Sequence, residues 1–454
     1  MYDLIVIGGG PAGYLASERA AKKGMKVIIF EKKSLGGTCL NVGCIPSKTL
    51  LNSAKIYEQA KNGSVKYGVH VGNIKINHEE VIKRKNKVVK TLVGGVEKTL
   101  KKLNVTVVQE VAVLDGKDGN SLIVKAAGQT YVGKNLIIAT GSSASIPPIE
   151  GLKDSLETGF ALTNVNIFDL KEIPKKLVVI GGGVIGMEMA SYFKIVGSEV
   201  TIIEMLNTVG GSLDEEIADI LKKSYEKKGV NLKLGCKVIA VKDSKVKYMC
   251  GDREDSIEAD RVLISIGRKA NTEGIGLETI GLYLERGNIV VNEKMETNVA
   301  GVYAPGDVNG KITLAHVAYR EAEVAVNNII GETDSMSYNC VPSIIYTCPE
   351  IASIGETEKS AKEKGFKVKT IKLPMQYSGR YVAENEDGEG ICKIVYDEKN
   401  DRLLGAQIVA NGSSEFIYGI GVFIDMQIPV NRLQKFIFPH PTIGEIIREA
   451  LFEL

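Results

Sequence analysis

Two cysteines with the spacing of a redox pair, Cys39 and Cys44, lie in the segment GGTCLNVGCIPSK, residues 36–48. Such thiols can be oxidised to a disulfide and reduced again, so together they hold and release two electrons. In a regular α-helix their Cα atoms would be about 8–9 Å apart, whereas a disulfide tolerates at most about 7 Å. Bond formation would therefore require a distorted backbone, which Gly43 is suited to allow. The alternative is a pair of buried free cysteines, which are common in soluble proteins.

A sequence typical of a nucleotide-binding strand–helix–strand unit, residues 1–31, precedes the pair. An apolar run leads into a GxGxxG pattern, and a helical pattern and a second apolar run follow. The glycines of such a unit permit a tight turn, close approach to a pyrophosphate and close helix–strand packing. The acidic residue after the second strand accepts ribose hydroxyls. We therefore predict a dinucleotide site at Gly8, Gly10, Gly13 and Glu31.

The same pattern occurs again in residues 177–204, at a constant offset of 173 residues. The residues that correspond to the first site are Gly181, Gly183, Gly186 and Glu204. Two complete fingerprints predict two bound dinucleotides in two separate domains. Combined with a dithiol, they predict an electron relay.

The second acidic residue also predicts which nicotinamide nucleotide binds. A carboxylate accepts hydrogen bonds from the ribose 2′ and 3′ hydroxyls and repels a 2′-phosphate. Glu204 is followed by MLNTVGG, which contains no Arg or Lys to receive that phosphate. We therefore expect NAD rather than NADP.

Composition excludes several classes of partner. The 454 residues suggest about three domains of roughly 150 residues, and 44% hydrophobic with 25% charged residues is typical of globular proteins. A net charge of +2 gives no reason to expect nucleic-acid or membrane-surface binding. The first strand begins without a basic leader, and no apolar stretch approaches the roughly 18–20 residues of a membrane span.

The other cysteines predict location rather than chemistry. They are scattered without metal-ligand spacing, which predicts structural thiols, no metal site and a reducing cytoplasm; they are Cys236, Cys250, Cys340, Cys348 and Cys392.

Among the histidines, His70 and His78 have polar surroundings and are predicted to lie at the surface. The lysine-rich residues 79–103 have helical periodicity, and their lysines are expected to form a solvated face.

Across essentially its whole length, the chain resembles the pyridine nucleotide-disulfide oxidoreductases, and within them the dihydrolipoyl dehydrogenases. Residues 36–48 match the redox signature of that group residue for residue, and HPTIGE, residues 440–445, matches its C-terminal HPTxxE motif. The intermediate motifs are ATGS at 139–142, TNVAGVYAPGD at 297–307 and LAH at 314–316. Two positions depart from the pattern: Pro305 replaces an aliphatic residue, and Ala270 replaces a proline, which is expected to loosen that loop.

The resemblance implies an α/β fold with two Rossmann-like dinucleotide-binding domains and a C-terminal α+β dimerisation domain. It divides the chain into an FAD-binding domain with the redox disulfide (1–148), an NAD-binding domain (149–270), a central domain that completes the FAD site (271–338) and an interface domain (339–454). In the family, the histidine-bearing domain closes the active site of the partner subunit. We therefore expect a homodimer that acts on a separate lipoyl-bearing carrier protein.

The resemblance also assigns roles in catalysis. A Cys39–Cys44 disulfide is implied in the oxidised enzyme, with Cys39 meeting the substrate and Cys44 lying against the flavin. His440 is the implied base that takes a proton from the substrate thiol, and Glu445 would orient its imidazole.

Further cofactor contacts are implied for a tightly bound FAD and for NAD. For FAD they are Thr38, Lys48, Ala112, Ser142, Asp307 and Ala315, and for NAD they are Glu188, Val238 and Gly267. Lys48 is implied to lie near the flavin N5 with Glu188 as its ion-pair partner. His316, next to Ala315, is expected to be structural.

Three functions compete on these grounds. The first is NAD-dependent oxidation of dihydrolipoyl groups through a disulfide and FAD. The second is a related flavoenzyme that reduces another disulfide, such as glutathione, or a mercuric ion. Glu204 argues against the NADPH that a glutathione reductase needs, and the isolated last cysteine, Cys392, argues against mercuric reduction. The third is a binding or scaffold protein, which the intact cysteine and histidine motifs disfavour.

Overall fold

The computed structural model describes residues 1–385 and 388–454. In the first third of the chain the strands are β1 Tyr2–Ile7, β2 Val27–Phe30, β3 Thr106–Val108, β4 Ala112–Asp118, β5 Ser121–Ala126, β6 Gln129–Ile138 and β7 Ser142–Ala144. The helices are α1 Pro11–Lys22, α2 Gly37–Val42, α3 Cys44–Glu58 and α4 His78–Lys102, with a π-helical turn at Gln59–Gly63 and a 3₁₀ turn at Val65–Tyr67.

The middle of the chain contains a second group of strands and helices. Its strands are β8 Ala161–Leu162, β9 Lys176–Ile180, β10 Glu199–Glu204, β11 Asn231–Leu234, β12 Cys236–Lys242, β13 Lys245–Cys250, β14 Arg253–Glu258, β15 Arg261–Ile264 and β16 Arg268–Ala270. Its helices are α5 Leu152–Glu157, α6 Asn164–Ile167, α7 Val184–Ile195 and α8 Glu215–Lys227.

The last part of the chain returns to the first sheet and then builds a sheet of its own. Its strands are β17 Leu284–Glu285, β18 Asn288–Ile289, β19 Val302–Tyr303, β20 Ser343–Ile345, β21 Ile351–Gly355, β22 Val368–Pro374, β23 Ile391–Asp397 and β24 Arg402–Val409. Its helices are α9 Ala315–Ile329, α10 Glu358–Glu363, α11 Gly379–Glu384, α12 Ile417–Asp425, α13 Val430–Leu433 and α14 Ile446–Phe452. Short 3₁₀ turns occur at Leu277–Ile280, Asp307–Asn309, Met375–Tyr377, Ser413–Glu415 and Ile443–Glu445.

The first sheet has the strand order β3-β2-β1-β6-β5-β4, and β19 joins it alongside β6. β1 runs parallel to both β2 and β6, and the buried Leu4, Ile5 and Val6 of β1 form part of the surrounding core. Strands that are buried on both faces have continuous apolar sequences, and this is the reason for the apolar run that predicts β1. Through β19, residues 302–303 return to the fold that residues 1–138 begin.

The second sheet repeats this architecture in the order β11-β10-β9-β15-β8, with every pair parallel. As α1 connects β1 to β2, so α7 connects β9 to β10. The antiparallel strands β12, β13 and β14 pack on this unit as a separate three-stranded sheet. The predicted duplication of the dinucleotide-binding unit is confirmed.

The C-terminal sheet is antiparallel, in the order β20-β21-β24-β23-β22. Helices α12 and α14 cover it and share its core, which includes Ile394, Ile420 and Leu451. The predicted class, two Rossmann-like units followed by an α+β region, agrees with this arrangement. Of the described residues, none forms a helix that combines the length and the apolar character of a membrane span.

Two side chains of the lysine-rich helix contradict the sequence analysis. Helix α4 forms as predicted, but its first residue, His78, is buried rather than at the surface. Its ring nitrogens lie 2.9 Å from the Tyr192 hydroxyl and 3.0 Å from the Leu170 carbonyl oxygen. Lys85 is only 3% exposed and pairs with Asp169 at 2.5 Å. Both residues anchor α4 to the second unit, which no local pattern could indicate.

The segment that contains Ala270 forms a strand rather than an irregular loop. Ala270 ends β16, which pairs with β7 in the register Ala270↔Ser142, and its side chain is buried. The ladder between the two strands therefore holds the segment without the usual proline.

Candidate active site

A break in the backbone between α2 and α3 brings the two thiols together. Gly43, between Val42 and Cys44, has φ −149° and ψ −113°, which no helix adopts. A Cβ at Gly43 would lie 2.9 Å from the Thr38 carbonyl oxygen, so a side chain would not fit this close approach. The Val42 carbonyl, which α2 leaves unpaired, accepts a hydrogen bond of 2.7 Å from Asn164 Nδ2. The distortion predicted from the cysteine spacing is confirmed.

Cys39 and Cys44 are free thiols, which corresponds to the reduced form of the pair. A hydrogen bond from the Cys39 thiol to the Cys44 sulfur lowers the pKa of Cys44 to about 7, and the Lys48 ammonium acts in the same direction against the effect of burial. The same hydrogen bond, together with burial, raises the pKa of Cys39. Because the pKa of Cys44 is lowered and that of Cys39 is raised, a single negative charge on this pair resides on Cys44. The thiolate is the reactive form of cysteine.

Lys48 lies one turn after Cys44 on α3 and connects the two dinucleotide folds. Its Nζ lies 2.9 Å from both carboxylate oxygens of Glu188, a buried residue of α7. It also lies 4.4 Å from the centre of the Tyr346 ring, and the Tyr346 backbone N–H donates to Glu188 at 3.1 Å. The expected ion pair is therefore present, and a third segment, just after β20, supports it.

The first glycine motif forms the turn between β1 and α1. A Cβ at Gly8 would lie 2.2 Å from the Ala139 carbonyl oxygen, and one at Gly13 would lie 1.8 Å from that of Gly8. These two glycines permit the close packing of helix and strand. At Gly10, the nearest atom to an added Cβ would be 3.9 Å away, and no described side chain caps α1. The first N–H groups of α1 are therefore available to an anion such as a pyrophosphate.

The carboxylate at the end of β2 completes this first site. Glu31 accepts hydrogen bonds from the backbone N–H groups of Gly9 at 2.8 Å and Lys33 at 2.7 Å. A cavity of about 500 Å³ opens beside Glu31, with α4 and β3 on its other sides, and its lining includes Lys101 and Val107. An uncapped helix terminus, an ordered carboxylate and a cavity of this size fit the pyrophosphate and adenosine parts of FAD.

The second motif reproduces this geometry. A Cβ at Gly186 would lie 2.1 Å from the Gly181 carbonyl oxygen, whereas Gly183 at the start of α7 faces open space. Glu204 accepts a hydrogen bond of 2.6 Å from the Gly182 N–H, the same contact that the carboxylate of the first site makes. These groups fit a second dinucleotide.

Three motifs that are far apart in the sequence meet beside the first site. Ser142 donates a hydrogen bond to Asp307 at 2.5 Å, and Arg268 donates to the Ser142 hydroxyl at 2.7 Å and to its carbonyl oxygen at 2.6 Å. The buried Glu321 accepts from the Gly306 N–H at 2.5 Å and so holds the turn that presents Asp307. The structure thus brings Ser142 and Asp307 into direct contact, as two of the residues that the sequence predicts for the FAD site. Arg268 and Glu321, which the sequence does not single out, hold them in place.

Most of the remaining predicted contacts lie at or beside the ends of elements. Thr38 is in the first turn of α2, Ala315 begins α9 and Ala112 begins β4, where its side chain is buried. Val238 is buried on β12, and Gly267, with a φ of +126°, immediately precedes β16. Their contacts with a cofactor stay predictions.

His440 and Glu445 form a hydrogen-bonded pair, with 2.7 Å between Nδ1 and Oε2. The Glu445 side chain is 9% exposed, whereas that of His440 is 78% exposed. Ser378 donates to the Thr442 carbonyl oxygen at 3.0 Å and so fixes the loop between them. Because Nδ1 is occupied, the other ring nitrogen, Nε2, is free to exchange a proton.

The residues that sequence reasoning missed are mostly positioning residues. Arg268 and Tyr346 lie within the motifs GRKAN and IIYTCPE, and nothing in the local pattern indicates their contacts with Ser142 and Lys48. Asn271, also in GRKAN, donates to the Thr140 carbonyl oxygen at 2.9 Å. The partner of each of these residues lies in a distant part of the chain. The sequence around such a residue therefore does not show that it makes the contact, and only the folded structure does.

One prediction about the cysteines is wrong. The sequence predicts scattered structural cysteines in no disulfide framework, but Cys236 and Cys250 are joined in a disulfide with their Cα atoms 4.3 Å apart. They face each other across β12 and β13, a register that depends on the position of the intervening turn. The sequence spacing of 14 residues gave no indication of it. Cys340, Cys348 and Cys392 are free, as expected.

Comparison with known proteins agrees with this geometry. Residues 2–322 match the pyridine nucleotide-disulphide oxidoreductase family model, and residues 341–451 match the dimerisation domain of that family. The chain is 39% identical to the dihydrolipoyl dehydrogenase of Staphylococcus aureus, over 99% of this chain and 95% of that protein. It is 37% identical to the dihydrolipoyl dehydrogenase of Mycoplasma pneumoniae, over 100% and 99% of the two chains.

Among solved structures, the HOCl-induced flavoprotein disulfide reductase RclA from Escherichia coli is similar, with a TM-score of 0.87 and 28% identity. The match covers 99% of each chain. The duplicated fold, the dithiol and the two family matches together show that this chain belongs to the pyridine nucleotide-disulphide oxidoreductase family.

Proposed function

We propose that this protein is an FAD-dependent dihydrolipoyl dehydrogenase, which oxidises dihydrolipoyl groups and reduces NAD⁺. The observation that carries the proposal is the position of the Cys39–Cys44 pair, on a broken helix that Lys48 ties to the NAD-type fold through Glu188. Whole-length similarity to dihydrolipoyl dehydrogenases supports it. When bound, FAD would accept two electrons from the dithiol and deliver them as a hydride to NAD⁺.

The residues of the chain supply the thiol chemistry. His440 takes the proton from a dihydrolipoyl thiol, and the resulting thiolate attacks Cys39 and displaces Cys44. The second substrate thiol then attacks the mixed disulfide, releasing the oxidised substrate and the Cys39 thiol. The displaced sulfur is the one whose pKa is lowered, so it leaves as a stable thiolate beside Lys48.

Glu445 serves as a positioning residue for the base. Its hydrogen bond to Nδ1 fixes the orientation of the imidazole ring, so that Nε2 is the nitrogen that meets the substrate thiol.

We infer that the active site is completed by a second copy of the chain. His440 is largely exposed within one subunit, and among described residues it has no hydrogen bond or ion pair with either thiol. Residues 341–451, which contain it, match the dimerisation domain of the family. A homodimer would bring the His440 of each subunit to the dithiol of its partner.

The same reasoning assigns the domains and the partner. We propose FAD binding by residues 1–148 and 271–338, NAD binding by 149–270 and the subunit interface in 339–454. The FAD contacts would be Gly8, Gly10, Gly13, Glu31, Thr38, Lys48, Ala112, Ser142, Asp307 and Ala315, and the NAD contacts Gly181, Gly183, Gly186, Glu188, Glu204, Val238 and Gly267. The substrate would be carried on a separate lipoyl-bearing protein, and we propose a cytoplasmic location.

A second candidate is reduction of another disulfide, as in the flavoprotein disulfide reductase whose fold is similar. Steady-state assays of the holoenzyme distinguish the two. Oxidation of dihydrolipoamide should be fast with NAD⁺ and slow with NADP⁺, and glutathione disulfide should not be reduced. Rapid reduction of glutathione disulfide without turnover of dihydrolipoamide would refute the proposal.

A further inference from the structure

The Cys236–Cys250 disulfide closes the open end of the hairpin formed by β12 and β13. Cys236 is the first residue of β12, Cys250 is the last of β13, and they are paired in the ladder. At the other end of the hairpin, a two-residue turn at residues 243–244 connects the strands covalently. At the open end no backbone turn joins β12 to β13, and this is the end at which a hairpin without a cross-link frays. The disulfide therefore fixes the point where the chain leaves β11 and enters β12.

That point adjoins the carboxylate proposed to bind the NAD ribose. Glu204 pairs with Leu234, the last residue of β11. The next residue, Gly235, donates its N–H to the Leu206 carbonyl oxygen at 3.0 Å, and the Leu206 N–H donates to Glu204 Oε1 at 2.8 Å. A Cβ at Gly235 would lie 2.7 Å from Asn207 Oδ1, so the two segments are in close contact. Cys236 follows directly, one residue beyond this contact.

The two sulfurs differ in accessibility. Cys236 is 3% exposed and belongs to the same hydrophobic cluster as Ile203, the penultimate residue of β10. Cys250 is only partly buried, lies beside the turn at Gly251 and is paired with Arg253 across the next ladder. Because Cys250 is the more accessible of the two, a soluble thiol or disulfide would react first there.

We propose that Cys236 and Cys250 form a second redox-active thiol pair, whose state controls the affinity of the protein for NAD. The inference rests on the proposed NAD site at Glu204. In a reducing cytoplasm, a disulfide outside the active site is more typically a transient or sensing bond than a permanent one. The bonded form orders the strand connection behind Glu204, and the reduced form releases it.

The exchange requires only a low-molecular-weight disulfide. The Cys250 thiolate attacks one sulfur of that disulfide, and the first small thiol leaves. The Cys236 thiolate then attacks the Cys250 sulfur of the mixed disulfide, and the second small thiol leaves. Two electrons pass from the protein to the small disulfide, which takes up the two protons of the cysteines as two thiols.

The test removes the active-site pair so that its two-electron transition does not overlap that of the second pair. The holoenzyme with Cys39→Ser and Cys44→Ser is equilibrated in mixtures of reduced and oxidised dithiothreitol. The bonded fraction is measured by alkylation and mass spectrometry, and NAD⁺ binding by calorimetry after the buffer thiol is removed. We expect one two-electron transition and an NAD⁺ dissociation constant about fivefold or more higher in the reduced form.

Two further variants in the same background isolate the bond. Cys250→Ser cannot form it and should bind NAD⁺ as weakly as the reduced protein in every mixture. Cys340→Ser, which removes a partly buried free cysteine elsewhere, should respond to the mixtures like its parent. The flavin absorbance of each sample shows that it remains the holoenzyme.

The possible failures are distinguishable. Equal NAD⁺ affinity in the bonded and reduced forms would overturn this inference, as would a pair that stays reduced in every mixture. An absence of NAD⁺ binding in both forms of a flavin-loaded protein would overturn the proposed function itself.

Discussion

Lys48 and Glu188 form an ion pair across 140 residues, with the ammonium 2.9 Å from both carboxylate oxygens. The lysine follows the redox cysteines on α3, and the glutamate belongs to the helix of the second fingerprint. One ion pair therefore fixes the distance between the dithiol and the NAD-type fold. The Tyr346 ring lies against the ammonium and adds a cation–π contact.

Replacing Glu188 with Gln should slow the enzyme at the step that uses NAD⁺. A hydrogen bond to a charged group contributes about 1.5–3 kcal/mol, and each 1.36 kcal/mol corresponds to about tenfold in rate. We expect reoxidation of the reduced enzyme by NAD⁺ to fall by roughly tenfold or more, measured by stopped-flow absorbance. Asp219→Asn, which removes an exposed ion pair with Lys223, is the control. Equal rates in the two variants would contradict the role assigned to Lys48 and Glu188.

The lowered pKa of Cys44 predicts a pH dependence in the two-electron-reduced enzyme. A group with a pKa of about 7 is a thiolate above that pH and is protonated as the pH falls through it. The long-wavelength absorbance of a thiolate against flavin should therefore be full at alkaline pH and disappear on acidification through about pH 7.

Variants of the neighbouring groups test the cause of this titration. Cys39→Ala removes the hydrogen bond to the Cys44 sulfur, and Lys48→Met removes the nearby positive charge. Both groups stabilise the thiolate, so either change should move the loss of absorbance to higher pH. A titration that stays in place in both variants would show that another group is being observed.

Replacing His440 with Gln should affect the thiol half of the reaction alone. General base catalysis typically contributes about 10²–10⁴-fold, and we expect a loss of this size with dihydrolipoamide. Glu445→Gln should lower the same rate less, because the imidazole remains but loses its 2.7 Å partner. Reduction of the flavin by NADH does not use the base and should be unchanged in both variants. A matching loss in the NADH reaction would point to general disruption of the fold.

The two fingerprint carboxylates provide matched controls for each other. Glu204 and Glu31 each accept a backbone N–H from their glycine motif, at 2.6 and 2.8 Å. Glu204→Gln should raise the KM for NAD⁺ by about tenfold and leave the FAD content unchanged. Glu31→Gln should instead increase the loss of FAD on dialysis. The reverse pattern would exchange the assignments of the two sites.

Gly43→Ala should impair formation of the active-site disulfide. The added Cβ would lie 2.9 Å from the Thr38 carbonyl oxygen, so the break in the helix would have to shift. We expect a higher free-thiol titre at Cys39 and Cys44 under oxidising conditions than in the parent. Gly94→Ala in α4, where an added Cβ has open space, should leave that titre unchanged and stabilise the helix by about 0.5–1 kcal/mol.

Much of the fold was predictable because its signals are local. The parallel strands are continuous apolar runs, and the glycine motifs recur at a fixed offset, so β1, α1 and β2 and their counterparts could be placed from the sequence. The burial of His78 and Lys85 could not, because each is satisfied by a residue more than 80 positions away. A polar side chain on a helix gives the same local signal whether it is exposed or paired.

By itself, the sequence determined the chemistry of this protein: a thiol pair, two dinucleotide motifs and a histidine followed by a glutamate. Residue type and short-range spacing suffice for that, because each motif is built from neighbours in the chain. Only the tertiary structure decided which motifs share a site, as in the contact of Arg268 with Ser142 and the bond between Cys236 and Cys250. The first depends on the packing of one fold against another and the second on the register of β12 against β13, and neither can be read from residue type and spacing alone.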